Sequence, residues 1–447
     1  MPLADNPGYR SGMVDLQSGR ISREIFVNDA IYRQELERLF ARAWLFVGHE
    51  SQIPNPGDFV VSGMGEESVI LCRDRGGEVH VFLNSCCHRG MKVCRYDEGN
   101  TAVFTCPYHG WSYDADGRLV GVPFFREAYH SELDRSQWGL VEVAQLRRYK
   151  GTVWASWDSA APSFFDYLGD FRRYLDLTLD SWDGSEGGSE VLGGVQKWLI
   201  PCNWKFPAEN FSGDSYHNIS HRSVDLVGIG PSGSGRRDMR ERQMARRLQI
   251  CFPERGHQTE IYVLPKGEGT PPAYRHSAIV SDYFAHCEAE RRRRCGEWAR
   301  VMGSPGEVFP NTALHPRQPR TIAVWHPRGA YQPRCGAGIS SMRRRPPRSN
   351  PSCAIITSAI RVRPGSPSRT TWKTGITPMR RAAARWRAGI PTATSRAWGM
   401  RSPITNGTGS ASPAGSWTSP RRNQASTICA ICTAAGRSSW KRRAGTS

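Results

Sequence analysis

The chain has 447 residues, with 60 Lys and Arg against 41 Asp and Glu and a formal net charge of +19, enough length for two or three domains with sizeable cores. Nowhere do eighteen apolar residues run together, and the start, MPLADNPGYRSG, has no basic-then-apolar signal, so a membrane span and secretion are not expected. Thirteen cysteines in such a chain favour metal ligation or plain burial over a disulfide framework, and a cytoplasmic protein is expected.

Asn28 is placed to cap a helix whose apolar positions Ile31, Leu36, Leu39, Phe40, Ala43 and Trp44 keep a 3.6-residue rhythm. From about Pro54 short β-rich runs take over. Phe59–Val61, Val69–Leu71 and Val79–Phe82 read as strands, the last two joined across Arg75-Gly76-Gly77. Ala102–Thr105, Trp111–Tyr113 and Leu119–Val122 follow, with Asp114-Ala115-Asp116-Gly117 turning a hairpin, and Val153-Trp154-Ala155 closes the block. This stretch reads as a small antiparallel domain.

Inside it lie Cys86-Cys87-His88-Arg89-Gly90 and Cys106-Pro107-Tyr108-His109-Gly110-Trp111: C-x-H, seventeen residues, then C-x2-H. Two turns that each offer one thiolate and one imidazole suit a [2Fe–2S] cluster with two Cys on one iron and two His on the other. Neutral imidazoles in place of thiolates remove negative charge and raise the reduction potential. Tetrahedral zinc also accepts two Cys and two His, but zinc fingers pair like with like, whereas each pair here is mixed. The segment resembles the Rieske motif, with Cys87 where relatives often carry Arg. Cys72 and Cys94 read as ordinary buried cysteines.

Ser163 is placed to cap a second amphipathic helix through Phe165, Tyr167, Leu168, Phe171 and Tyr174, and Gly184–Gly188 forms a Gly/Ser-rich loop. Residues 195–330 mix strands and helices and end in the strand-like Thr321–Trp325. The stretch from Trp204 to His221 contains Glu209-Asn210-Phe211-Ser212-Gly213-Asp214-Ser215-Tyr216-His217 and then His221. On a helix, His217 and His221 at i and i+4 share a face and could hold one ion. Such a pair alone is a weak signal, because surface and core histidines often fall at this spacing.

The block resembles the E-N-x-x-x-D-x-Y-H segment of Rieske non-haem iron ring-hydroxylating oxygenases, although the chain leaves three residues between its two His where relatives often leave four or more. The resemblance covers about residues 40–155 for the Rieske part and 156–329 for the catalytic part. It implies that His217 and His221 bind Fe(II), two members of a triad completed by a distant Asp. It implies that Asp214 links a ligand His to the Rieske His109 of the next subunit. Asn210 would lie near the iron, and Phe211 and Leu226 would line an apolar pocket. Electrons would come from NAD(P)H through a reductase and ferredoxin. O2 would be added in cis to an aromatic ring by a trimer, commonly with a small β-subunit.

The final part of the chain breaks with the rest. Glu307 is the last acidic residue, and from Tyr331 to Ser447 there are 21 Lys and Arg with no Asp or Glu. Residues 1–330 carry 39 basic and 41 acidic side chains, so the main body is near neutral. A basic tail binding nucleic acid would account for the charge alone. The family, however, supplies its third iron ligand in a late segment like D-D-x-E-N-W, and no carboxylate remains here to do so.

A shifted reading frame accounts for both facts, if each hidden codon begins at the third base of a written one. Gln332–Gly338 can then encode T-E-V-W-S-W, the motif expected after Trp325-His326-Pro327-Arg328-Gly329. Arg369–Gly375 can encode D-D-M-E-N-W. Trp372 before Lys373 forces the Glu, and Lys373 before Thr374 forces Asn or Asp; the other letters are permitted. One offset yields both motifs, in order. Cys429-x-x-Cys432 would then be an accident of the frame.

The expected fold is α+β: a small antiparallel-β Rieske [2Fe–2S] domain (46–155) and a helix-flanked antiparallel-sheet catalytic domain (156–330). An N-terminal helical segment (1–45) packs on the latter. An Arg/Ser/Pro-rich tail (331–447) truncates it, poorly ordered and in place of the last strands and helices. No nucleic-acid or membrane partner is expected. The competing function is a Rieske protein that only transfers electrons.

Overall fold

The computed structural model describes residues 13–15, 17–192, 195–212, 220, 221, 223, 226, 247–268, 277–316 and 320–330, and the backbone alone of strands within 335–362. Asn28 caps helix α1 (Asp29–Glu35), its Oδ1 accepting from the N–H of Ala30 at 2.8 Å and of Ile31 at 3.2 Å. The helix stops short of the expected Trp44 and widens into a π turn at Leu36–Phe40. Phe40 meets Trp204 at 5.0 Å, whereas Trp44 meets Phe164 at 5.5 Å in a different core. One straight helix could not serve both.

The β-block contains the expected strands. β1 (Leu45–His49), β2 (Asp58–Met64), β3 (Glu67–Arg73), β4 (Val79–Leu83), β5 (Glu98–Asn100), β6 (Val103–Thr105), β7 (Ser112–Asp114), β8 (Leu119–Gly121), β9 (Gln145–Tyr149) and β10 (Thr152–Ser156) follow in turn. They form antiparallel sheets in the orders β4-β3-β2-β5, β8-β7-β6 and β9-β10-β1. Phe59, Ile70, Phe82, Phe104, Trp111 and Tyr113 share a core with Cys86 and Cys106.

The β7–β8 turn depends on Gly117, at φ +84°, where a Cβ would meet the Phe82 ring at 2.6 Å. Gly117→Ala is therefore expected to destabilise the domain by about 1–3 kcal/mol, through overpacking and the left-handed backbone. A urea melt followed by the cluster's visible absorbance measures this; an unchanged midpoint would contradict it.

Ser163 caps α2 (Phe164–Leu168) through the N–H of Asp166, and α3 (Arg172–Leu179) follows. The second sheet uses β11 (Ser189–Val191), β12 (Gln196–Ile200), β13 (Arg247–Phe252) and β14 (His257–Val263). Helix α4 (Lys205–Phe211) lies between β12 and β13 in the chain. Helix α5 (Ala278–Cys295), β15 (Val301–Val308), β16 (Thr312–His315) and β17 (Thr321–His326) come next.

Side chains alternate between the sheet's faces. Val308, Leu314, Ile322 and Val324 pack with Phe164, Leu168, Leu175 and Leu179 on one face. Ala313, Ala323 and Trp325 pack with Trp204 and Ala208 of the α4 region on the other. The N-terminal segment joins that second face: Phe26 stacks on Phe206 at 4.2 Å, and Lys205 pairs with Glu35 at 2.6 Å.

The sheet was expected to end at β17 for want of strands in the tail. Instead the backbone of Cys335–Arg344 forms β18, antiparallel to β17, β12 and β11. The order is β11-β18-β17-β16-β15-β14-β13, with β12 also on β18. Ladder hydrogen bonds join backbone groups, so β17's free edge can be paired without the family's side chains. Apart from two two-residue strands, Cys353–Ala354 and Arg361–Val362, the rest of the tail lies outside the described residues.

Candidate metal centres

The Cys86/His88 loop follows β4, and the Cys106/His109 loop joins β6 to β7. The two loops close alike. The N–H of Cys86 donates to Met91 O (2.8 Å) and that of Gly90 to Cys86 O (2.8 Å). The N–H of Cys106 donates to Trp111 O (2.7 Å) and that of Gly110 to Cys106 O (3.0 Å). Gly90 and Gly110 sit at φ +71° and +74°, a conformation few other residues adopt.

These closures bring the four side chains together. Cys86 and Cys106 are buried, and the rings of His88 and His109 lie 4.7 Å apart, edge to face. His88 also stacks on Trp111 at 4.9 Å, which fixes its plane. Its Nδ1 is buried without a hydrogen-bond partner among the described residues, an acceptor left for a metal. Among the described residues no three such ligands converge on one point. A two-iron cluster with one ligand pair per iron does not require that.

Sequence reasoning passed over Tyr113. The N–H of Cys87 donates to its hydroxyl oxygen at 3.2 Å, and the same oxygen lies 3.2 Å from Cys86 Sγ, so the hydroxyl proton is free to point at the sulfur. Burial raises the Tyr113 pKa, and so does the hydrogen bond to Cys86, so the proton stays. Only the Trp-x-Tyr spacing hinted at this contact. Cys72 and Cys94 are buried as expected, and desolvation pushes the Cys72 thiol up to about 12. Cys72 donates to Ala115 O at 3.4 Å.

In the catalytic domain, α4 carries Asn210 and Phe211. It is held at its start by Trp204 Nε1 donating to Glu35 (2.9 Å) and by Asn203 Nδ2 donating to Ala330 O (3.1 Å). Phe211 packs against Trp325 at 5.4 Å. Asn210 is half-buried. His221 is described in a short turn, also half-buried, whereas Asp214 and His217 lie outside the described residues. Leu226, expected on a pocket wall, is 64% exposed.

A second group missed in the sequence is Glu307, noted there only as the last acid. It is 2% exposed on β15, and its Oε2 lies 2.8 Å from Ser212 Oγ. Ser212 Oγ also lies 2.9 Å from Ala208 O. One hydroxyl proton cannot serve both, so the arrangement is satisfied when Glu307 carries its own proton and donates to Ser212. Burial raises its pKa to about 8, outweighing the contact with Ser212, which acts to lower it. An acid inside Gly306-Glu307-Val308-Phe309 was the available signal.

Between its usual pKa and about 8, the folded state keeps a proton that the unfolded state releases. Stability is thus greatest below the usual carboxylate range and falls as pH rises through 8, by at most about 1.4 kcal/mol per pH unit. Glu307→Gln is expected to flatten that slope between pH 5.5 and 8. Urea melts at the two pH values measure it, and a slope equal to the parent's would refute a protonated Glu307.

The chain's relatives agree with this geometry. Residues 43–144 match the family model of the Rieske [2Fe-2S] domain. The chain is 40% identical over 324 residues to biphenyl 2,3-dioxygenase subunit alpha of Rhodococcus jostii (strain RHA1), covering 71% of this chain and 68% of that one. It is 38% identical to benzene 1,2-dioxygenase subunit alpha of Pseudomonas putida, covering 71% and 69%. The crystal structure of naphthalene 1,2-dioxygenase from Rhodococcus sp. bound to indole superposes with TM-score 0.59 at 35% identity, covering 71% of this chain and 72% of that one. No helix among the described residues is long and apolar enough to cross a membrane. With its paired Cys/His loops and its sheet-borne second domain, the chain belongs to the Rieske non-haem iron oxidoreductases, among the large subunits of aromatic ring-hydroxylating dioxygenases, whose cofactors are a [2Fe–2S] cluster and a mononuclear iron.

Proposed function

We propose that the gene encodes the terminal oxygenase of a multicomponent system, and that the chain as written keeps the electron-accepting half of that function. The observation that carries this is the intact Cys86/His88 and Cys106/His109 pair together with the lack of any Asp or Glu after Glu307. In this reading His217 and His221 hold the mononuclear iron, Asn210 lies beside it, and Phe211 lines the pocket. Asp214 connects one ligand His to the Rieske His109 of a neighbouring subunit in a homotrimer, with or without a small β-subunit. A ferredoxin and an NAD(P)H-dependent reductase supply electrons. When bound, the two iron centres supply one-electron transfer and activation of O2 for cis addition to the ring.

An apolar aromatic substrate is in keeping with the biphenyl and benzene of the relatives' names. Residues 331–447 are read as out of frame. The match covers 71% of this chain and 68% of the biphenyl dioxygenase subunit, leaving remainders of similar share in both. A frame change produces that pattern, because related DNA then encodes unrelated residues. An electron-transfer-only Rieske protein is the less favoured reading, because the chain's relatives are large subunits of ring-hydroxylating dioxygenases. Resequencing the gene across the codons for Gly329–Gln332 tests the proposal. A frame error there is expected, and the written frame recovered from independent clones would overturn it.

A further inference from the structure

A cavity of about 1000 Å³ lies between α5 and the β14–β15 end of the catalytic sheet. Among the described residues, none that lines it belongs to the Rieske domain or to the stretch from Asn210 to His221. Its size is that of a small-molecule site. Trp182, Leu264, Phe284 and Met302 give it apolar walls, and the rings of Trp182 and Phe284 meet edge to face at 5.9 Å.

The charges on its lining are mostly matched. Arg292 pairs with Glu288 at 2.6 Å, and Arg300 with Glu297 at 2.6 Å. Arg291 and Lys266 are the exceptions: among the described residues no carboxylate lies within ion-pair distance of either, although Glu288 and Asp180 act on the charge of Arg291 from farther off. Its guanidinium donates to Val301 O at 2.8 Å and approaches Met302 Sδ at 3.8 Å. Five N–H donors on a planar fork leave most of its capacity unused. The turn at Gly184 lies close beside its stem, where a Cβ would meet Arg291 Cγ at 3.3 Å.

An Arg that served only to tie α5 to Val301 would not need to border an apolar chamber. A desolvated cation whose nearest carboxylates lie beyond ion-pair distance is costly, and a carboxylate arriving from solution would reduce that cost through a two-pronged hydrogen bond. We propose that this cavity binds an amphipathic organic monoanion, an aromatic carboxylate, with its head on Arg291 and its ring between Trp182, Phe284, Leu264 and Met302. The cavity's described lining contains neither Asn210 nor His221.

Titration calorimetry of the full cluster-loaded chain with 2-naphthoate tests this, with the neutral 2-naphthalenemethanol as control. One site per chain is expected. Arg291→Met should weaken 2-naphthoate at least tenfold while leaving the alcohol unaffected, and Ala285→Trp, which fills the chamber, should abolish binding of both. An unchanged cluster spectrum shows that each variant is folded; if Arg291→Met is not, Ala285→Trp and the preference for naphthoate over the alcohol decide. The proposal fails if the parent does not bind at millimolar naphthoate, if the alcohol binds equally well, or if a folded variant binds like the parent.

Discussion

Restoring the reading frame after Gly329, so that the downstream segments read T-E-V-W-S-W and D-D-M-E-N-W, is expected to raise ring hydroxylation at least a hundredfold over the chain as written. In the proposed reading, two histidines alone would leave the iron short of the carboxylate that closes one face of its coordination sphere and balances its charge. Losing even an outer partner of a metal ligand typically costs 10–100-fold in affinity or activity, so losing a ligand itself costs more. The nearest acid in sequence, Glu307, does not substitute: it is buried, bonded to Ser212, and holds its proton up to about pH 8. The measurement is product formation from biphenyl or benzene with reductase and ferredoxin, compared at equal cluster content. Equal turnover by the two chains would show that the missing carboxylate is not needed.

The second large effect concerns the cluster. Cys106→Ser is expected to remove essentially all Rieske absorbance and the EPR signal of the reduced centre, whereas Cys94→Ser and Cys72→Ser should keep them. All three thiols are buried, but only Cys106 sits on a closed loop facing Cys86 and the two imidazoles. Cys72 points at a backbone carbonyl and Cys94 lies near Tyr96 O, so neither is turned to the ligand set. Zinc in this site would be silent in both spectra whatever the variant. A cluster surviving in Cys106→Ser, or lost in Cys94→Ser, would contradict the ligand assignment.

The Rieske half was legible because its information is local. Cys and His at fixed spacing, each loop with a glycine at positive φ, determine much of their own geometry, and Gly90 and Gly110 stand where those turns need them. The caps at Asn28 and Ser163 were readable for the same reason. What escaped was set by distant parts of the chain. The early end of α1 follows from Phe40 and Trp44 entering different cores. The Ser212–Glu307 contact joins residues far apart in sequence. β18 arose where tail composition argued against a strand, because β17 offered an unpaired backbone edge. The resemblance puts Leu226 in a pocket, and its exposure is a tertiary fact that spacing does not carry.

As proposed, the chain as written has a complete Rieske site and an incomplete mononuclear one. Iron per chain, determined on purified protein alongside quantitative EPR of the reduced cluster, tests it most directly. About two irons, all accounted for by the [2Fe–2S] signal, are expected for the written chain, and about three after the frame is restored. A third iron held by the written chain would contradict the account.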